Sequence, residues 1–333
     1  LDLRTENLFD QWPAKQKAIL AYLCPLSTVI VMPTISIVIR CFNEERHIGK
    51  LLDWLARQTV PVEAVVVDSG STDRTVEIAR AHGAKLVHIL PQMFTFGRAL
   101  NLGIAQASGE VVVAASAHVY PTDERWIEQL VEPFQLAQVA LTYGGQIGNE
   151  STKFSEHRIF HKWFPPTGPW YVQDHPFCNN ANACIRRSVW EQLPYDETLT
   201  GLEDLAWAKS ALLIGHQLAY VPSAKVVHVH NETPDQIQNR YRREAIAYKR
   251  IFPEAHFSLK DLLVLLPTNV LSDWVQAGRE GRFWQYAGQI GQFRFRQFWG
   301  TYQGYRQRGM VSEMLKRRFY YPNKIRDDWR FLK

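Results

Sequence analysis

The sequence predicts an α/β fold, a mostly parallel sheet flanked by helices and followed by a helical C-terminal extension. Three observations carry this. Short apolar runs rich in β-branched residues recur without polar alternation, the signature of strands buried on both faces. Each is followed by turn and capping residues and then by apolar positions at helical spacing, as in repeated β-α-β units. The last 75 or so residues lose the strand signal and become helical in propensity, aromatic and basic.

The first 33 residues read as an N-terminal extension. Ala18 to Pro33 is mostly apolar and follows Lys15 and Lys17, like the start of an export signal. Pro25 interrupts it, no small-x-small cleavage pattern follows, and it falls short of the ~20 residues that span a bilayer. An upstream extension or a fragment boundary is the better description. No other run is both long and charge-free enough to span.

Residues 34–255 form the sheet domain. Ile35 to Ile39 is the first strand, Asn43-Glu44-Glu45 a helix start, and Ile48, Leu51, Leu52 and Leu55 one face of the helix. Ala64 to Asp68 repeats the strand, Ser69 to Asp73 is a turn with capping residues, and Val76, Ile78 and Ala79 open the second helix. Leu86 to Leu90 is a third strand, Arg98 to Ala107 a helix ended by Ser108-Gly109, and Val111 to Ala115 a fourth strand. After Tyr143 the regularity stops. Gly144 to Phe177 holds Pro165, Pro166 and Pro169 and reads as a long functional loop. A helix then begins near Glu203, a strand covers Lys225 to His230, and residues 256–333 form the helical segment.

The 333 residues are 46% hydrophobic and 21% charged, with 19 Gly and 17 Pro, which excludes disorder, collagen-like repeats and a disulfide scaffold. Cys24, Cys41, Cys178 and Cys184 lack zinc-site spacing and read as reduced thiols. From Gly278 onward 13 basic residues face 4 acidic ones, so the net +5 of the chain is a property of its tail.

Ligands of such sheets bind at the carboxyl ends of the strands. Asp68 leaves its strand beside a glycine turn, placed to bind a base or ribose, whereas Asp73 reads better as a helix cap. Ser116 and His118 share one face at the end of the fourth strand; His118 is open to a metal or phosphate role or to a structural one. Glu203 and Asp204 open a helix, where the dipole alone favours acids and a general base is the functional alternative. His228 and His230 alternate on one strand and so share a face, as paired ligands or as satisfied strand histidines.

The order of these pieces says more than any one of them. Ile35-Ser-Ile-Val-Ile-Arg-Cys-Phe-Asn-Glu-Glu45, Val65-Val-Val-Asp-Ser-Gly-Ser-Thr-Asp-Arg-Thr75, Phe96-Gly-Arg-Ala-Leu-Asn-Leu-Gly103, Ala107-Ser-Gly-Glu-Val-Val-Val113 and Gly201-Leu-Glu-Asp204 together resemble the inverting family 2 glycosyltransferases. The resemblance covers about Thr34 to Arg250. It is strongest to non-processive bacterial members, including rhamnosyltransferase-like ones that build surface polysaccharides or glycolipids. It implies the GT-A fold, a Rossmann-like sheet, with a UDP-, dTDP- or GDP-sugar donor and a glycan or lipid-linked acceptor. Arg40, Asn43, Glu44 and Asp68 then inherit the nucleoside site, with Arg98, Asn101 and Ser116 lining the same pocket. Asp204 is the implied base, with Glu203 its neighbour, and one in-line displacement inverts the anomeric carbon.

The departure is in the metal motif. Where the family has Asp-x-Asp, this chain has Ser116-Ala117-His118. Related GT-A enzymes use Asp-x-His with a further histidine downstream, which points to His228 or His230. Two hard anionic ligands suited to Mg²⁺ are missing, and imidazoles favour Mn²⁺ or a softer metal. A metal-free site in which His118 and arginines neutralise the diphosphate is equally open. The Gln-x-x-Arg-Trp of processive synthases is not met: Gln236-Ile-Gln-Asn-Arg-Tyr241 has another spacing and Tyr for Trp, so one sugar per encounter is expected.

Two other readings stand beside this one. A sugar-1-phosphate nucleotidyltransferase has a similar sheet but opens with a glycine-rich basic loop, where Cys41 to Glu45 offers acids. A catalytically silent sugar-nucleotide-binding protein would have no use for Glu203-Asp204. In the tail, Phe283, Trp284, Tyr286, Phe293, Phe295, Phe298, Trp299 and Tyr302 interleave with Arg282, Arg294 and Arg296. This suits either packing on the sheet domain or a membrane interface. With a nucleotide-sugar enzyme upstream, no nucleic acid is expected; the expected location is the cytoplasm, with peripheral contact at the inner face of the membrane.

Overall fold

The computed structural model describes residues 32–321; the N-terminal extension up to residue 31, with Cys24, and residues 322–333 lie outside the described residues. One nine-stranded sheet organises the chain, built from β1 (Ile35–Cys41), β2 (Glu63–Asp68), β3 (Lys85–His88), β4 (Val111–Ser116), β5 (Val119–Pro121), β6 (Val139–Ile147), β7 (Tyr171–Gln173), β8 (Asn182–Arg186) and β9 (Gln217–His228). The order is β3-β2-β1-β4-β8-β6-β9-β5, with β7 also paired to β9. Helices α1 (Ile48–Ala56), α2 (Thr75–Ala81), α3 (Phe96–Gln106), α4 (Trp126–Val131), α5 (Phe154–Trp163), α6 (Arg187–Trp190) and α7 (Glu203–Leu213) accompany it, and α8 (Pro234–Ile251), α9 (Leu259–Arg279), α10 (Phe283–Arg306) and α11 (Glu313–Tyr320) follow.

The period-two geometry of β1 splits the core. Ile35, Ile37 and Ile39 point to one face, where Ile48, Leu51 and Leu52 of α1 cover them. Val38 points to the other, against Ala99, Leu100 and Ile104 of α3. Both faces are therefore buried, as the unalternating strands require.

The sheet is parallel from β3 through β2 and β1 to β4, as the sequence predicts. Beyond β4 it is mixed: β8 lies antiparallel between β4 and β6, while β6 and β9 are parallel. A strand's composition does not encode its direction. Direction follows from the end of the sheet to which the preceding segment delivers the chain.

Two expected elements differ in extent. Gly144 to Phe177 is not a structureless loop but contains the end of β6, α5 and β7. In α5 the exposed His157, His161 and Lys162 break up a short aromatic face, and Pro165-Pro166 follow directly. The strand read as Lys225 to His230 begins at Gln217 and ends at His228. Cys41, Cys178 and Cys184 are free and buried.

The C-terminal helices pack on the sheet domain. Leu205 of α7 and Tyr248 of α8 share a cluster with Phe257, Leu265 and Phe298. Gly300 and Gly304 let α10 lie against α8, since a Cβ at either would run into the carbonyl of Gln238 or Arg242. Part of the expected docking segment is internal: Phe293 and Phe298 are buried, and buried Arg294 grips Asp273 at 2.7 and 3.2 Å, whereas Trp284 and Phe295 stay exposed. Burial of an arginine demands such a partner, so this cation is a structural one.

Candidate active site

A cavity of about 650 Å³ opens beyond the carboxyl ends of β1 and β4. Arg40, Asn43, Glu44, Ser116, His118, Glu203, Asp204, His228 and His230 line it, so short motifs far apart in the chain meet at one place. Two of the turns that deliver them are left-handed at non-glycine residues, Asn43 (φ 56°) and Leu202 (φ 55°). Such backbone is costly and collects at functional sites. At Leu202 it turns the first two residues of α7, Glu203 and Asp204, into the cavity wall. The Asn43 side-chain oxygen accepts from the Thr72 N–H at 2.8 Å, tying the β1 loop to the β2 loop. Asp73 accepts from the N–H groups of Glu45 and Thr75, the capping role read for it.

The two acids are held differently. Glu203 receives the Arg40 guanidinium at 2.8 Å. Among the described residues Asp204 has no cation of its own; it accepts the N–H of Asn180 at 3.0 Å and of Leu205 at 2.8 Å. Burial, then the neighbouring Glu203, push its carboxyl up to about 7, against those donors and the charge of Arg40. A carboxyl poised there can take a proton near neutral pH.

Three histidines stand opposite. One ligand atom each of His118, His228 and His230 lies within 4.8 Å of the others. His118 Nδ1 faces a Glu44 carboxylate oxygen at 2.9 Å, His230 Nδ1 faces Glu156 at 2.7 Å, and His228 Nδ1 faces the Gln146 side-chain carbonyl at 2.8 Å. Oxygens of these kinds accept, so each ring donates through Nδ1; the Nε2 of buried His228 then accepts from the Nε2 of His230, 3.0 Å away. Burial, followed by His230 and His118, pushes His228 well below its ordinary value, leaving it neutral. Burial would raise Glu156, but Arg240 and His230 outweigh it and hold the carboxyl at about 2. Imidazoles whose second nitrogen is fixed by a carboxylate or carbonyl form the donor set of a metal site. The residues present therefore fit a borderline divalent cation, without the aspartates that suit Mg²⁺.

A second cavity, of about 330 Å³, adjoins the first between α5, α9 and α10. Both are lined by Asp204, His228 and His230. Its walls are aromatic, with Phe160, Trp163, Phe177 and Phe298, and polar at Asn269 and Ser272. Gln146 also lines it, with a buried side-chain N–H₂ that has no partner among the described residues.

Not every sequence candidate reaches the first cavity. Arg98 pairs with Glu197 at 2.6 Å, and Asn101 bonds the Tyr195 carbonyl and Glu197, each at 3.0 Å; both tie the 195–197 turn to α3. Asp68 is buried, with its carboxylate on the N–H groups of Gly70 and Ser71. The ring of Tyr321 covers this corner, 4.6 Å from Phe42, with its hydroxyl donating to the Ser69 carbonyl. Conversely, Gln236, Arg240 and Arg243 of α8 do line the cavity. Their motif failed the processive spacing, and only the basic run Arg240 to Arg243 marked them. Arg40 and Arg243 lie over the Phe96 ring at 5.0 and 4.7 Å. Gln146 and Glu156 carried no sequence signal, because each acts on a histidine more than seventy positions away.

Carboxylates, arginines and imidazoles converge at the strand ends of this sheet, where α/β proteins bind their ligands. Residues 36–193, just under half of the chain, match the Glycosyl transferase family 2 model, so this segment is a glycosyltransferase family 2 domain. It is 27% identical over 221 residues to the O-antigen chain rhamnosyltransferase RfbN of Salmonella typhimurium, a match covering 62% of this chain and 70% of the relative. Glycosyltransferase AglE of Haloferax volcanii is 24% identical over 270 residues, covering 74% and 87%. The solved mannosyltransferase PcManGT from Pyrobaculum calidifontis, in complex with GDP-Man and Mn²⁺, covers 89% of both chains with a TM-score of 0.57 at 17% identity, and so shares the GT-A fold.

Proposed function

We propose that this glycosyltransferase moves one sugar from a nucleoside-diphosphate donor in the larger cavity to a hydroxyl of a glycan or lipid-linked acceptor in the smaller one, with inversion, in surface polysaccharide or glycolipid synthesis. The observation that carries this is the position of Asp204 on the wall shared by the two cavities. There it takes the acceptor proton as the hydroxyl oxygen attacks the anomeric carbon and the bond to the nucleoside diphosphate breaks. Glu203, held by Arg40, keeps its own charge paired and sustains the raised affinity of Asp204 for a proton. Arg40 and Arg243 offer the positive charge that a departing diphosphate needs. Asn43, Glu44 and Ser116 bound the nucleotide end.

His118, His228 and His230 would hold a divalent cation, Mn²⁺ better than Mg²⁺ by donor type. Such an ion, when bound, neutralises diphosphate charge. Glu44, Gln146 and Glu156 orient the three rings. The aromatic lining of the smaller cavity and the unpartnered amide of Gln146 suit a sugar or lipid-bearing alcohol, stacked on one side and hydrogen-bonded on the other.

The decisive experiment is a thermal-shift screen of UDP, GDP and dTDP, each with and without Mn²⁺, on the wild type and on Asp204→Asn. Retained nucleotide stabilisation with lost transfer in the variant supports the base role. Equal turnover by the variant removes Asp204 from it.

A further inference from the structure

We infer that α9 docks on an anionic lipid surface through the face it turns away from the protein. Leu263, Val264, Leu271 and Val275 are 66%, 42%, 56% and 54% exposed. At 100° per residue they fall within one sector of the helix, with exposed Pro267 at its centre. Leu262, Leu265 and Asp273 on the opposite side are buried. From Leu262 to Gly278 the single charged residue is that Asp273, turned inward to Arg294 and to Arg158 at 2.8 Å. Four turns of helix thus present to solvent a surface without charge, larger than the scattered apolar residues of an ordinary exterior.

The flanks of this face choose the partner. Exposed Lys260 stands at one end and exposed Arg279 and Arg282 at the other. The nearby acids are engaged: Asp261 caps Ser258, and Glu280 accepts from Gln276 at 2.9 Å. Trp284, 91% exposed, lies just past the basic end. Apolar face, flanking cations and an interfacial tryptophan are the pattern of a helix lying in the headgroup region. No helix among the described residues is long and apolar enough to cross a membrane.

The same helix borders the smaller cavity. Asn269, Ser272 and Asp273 line it, and Ser272 is exposed next to Leu271, so the cavity opens beside the apolar face. Resting on the reading of that cavity as the acceptor site, docking through α9 brings its mouth to the bilayer surface, where a lipid-linked alcohol can enter from the headgroup layer. This places the contact on α9 with Trp284 at the start of α10, while Phe293 and Phe298 further along α10 are buried.

Flotation of the full chain with vesicles of phosphatidylcholine alone or mixed with phosphatidylglycerol tests the inference. The wild type is expected to float with the anionic vesicles and to lose most of this in high salt. Leu263→Asp with Leu271→Asp should lower the bound fraction at least tenfold, with Trp284→Ala intermediate. Nucleotide-induced thermal shift, read without vesicles, should be unchanged in each variant, which establishes folding and separates docking from the glycosyltransferase reading. Absence of wild-type binding, or equal binding by the double variant, overturns the proposal. So does a wild-type dimer that the double substitution splits while vesicle binding is absent, since a second copy would then cover the face.

Discussion

The Nε2 atoms of His228 and His230 stand 3.0 Å apart, and each ring has its Nδ1 proton directed at an oxygen of Gln146 or Glu156. At that distance the Nε2–H of one ring donates to the other, a proton that a bound cation would displace, and His118 stacks on His228 at a ring separation of 5.2 Å. Because three oriented imidazoles cluster here, Mn²⁺ is expected to raise the melting temperature of the wild type, more at pH 8 than at pH 6 as the ring proton leaves. His228→Ala or His230→Ala should abolish the shift, and Glu156→Gln should weaken Mn²⁺ about 10–100-fold by freeing the His230 ring. Calorimetric titration with the metal alone reads this; unchanged affinity in all three variants would remove the cluster from metal binding.

Asp204→Asn is expected to lower turnover about 10²–10⁴-fold, the range of a lost general base. In the wild type the rate should climb through pH 7, because the base must be ionised and its proton is held to about that pH. Stability has the opposite sign. The unfolded carboxyl ionises near 3.8 and the folded one near 7, so between these values the unfolded state binds fewer protons and stability falls as pH rises. The variant should accordingly melt above the wild type at pH 8, by up to a few kcal/mol, and show no such gain at pH 4.

Arg40→Met leaves Glu203 buried without its cation, a loss of roughly 3–5 kcal/mol. It also removes a charge that lowers the Asp204 carboxyl, so the alkaline-rising limb of the rate profile should move to higher pH. A profile that keeps its midpoint would show that Arg40 acts on the donor alone.

Tyr321 covers the corner where Asp68 accepts from Gly70 and Ser71. If Asp68 serves the nucleoside, this ring has to move first. Tyr321→Ala is expected to tighten UDP or GDP several-fold in equilibrium titration, whereas weakened binding would mark the ring as part of the nucleoside site.

Gly300→Ala should destabilise by about 1–3 kcal/mol, the usual cost of overpacking, because its methyl meets the Gln238 carbonyl and pushes α10 off α8. Gly288→Ala, on the same helix with open space around it, is the control and should leave the melting temperature unchanged or slightly higher.

Much of the site was legible from the chain. Apolar runs fixed β1, β2 and β4, whose ends bear Arg40, Asp68 and Ser116, and the turn at Gly201 announced Glu203 and Asp204 as a helix start. The family resemblance placed Arg98 and Asn101 at the pocket, but a shared motif does not tell that Glu197 will engage them. The local patterns passed over α5, whose aromatic face is interrupted by polar residues, and thereby over Glu156. The tail was read correctly as helical and aromatic. Which of its aromatics are interior depended on α8 and α9 as packing partners.

The sequence by itself determined the elements, their order and the chemical groups at the strand ends, because hydrophobic period, caps and turns act over a few residues. Only the tertiary structure decided which groups meet. Arg40 reaches Glu203 across 163 positions, and His118 reaches His228 because β5, just after it, pairs antiparallel with β9. Sheet order and helix packing set those distances, and buried charges then settle on the partners within reach. That is how Glu203 gained a cation while Asp204, one residue on, was left to hold its proton.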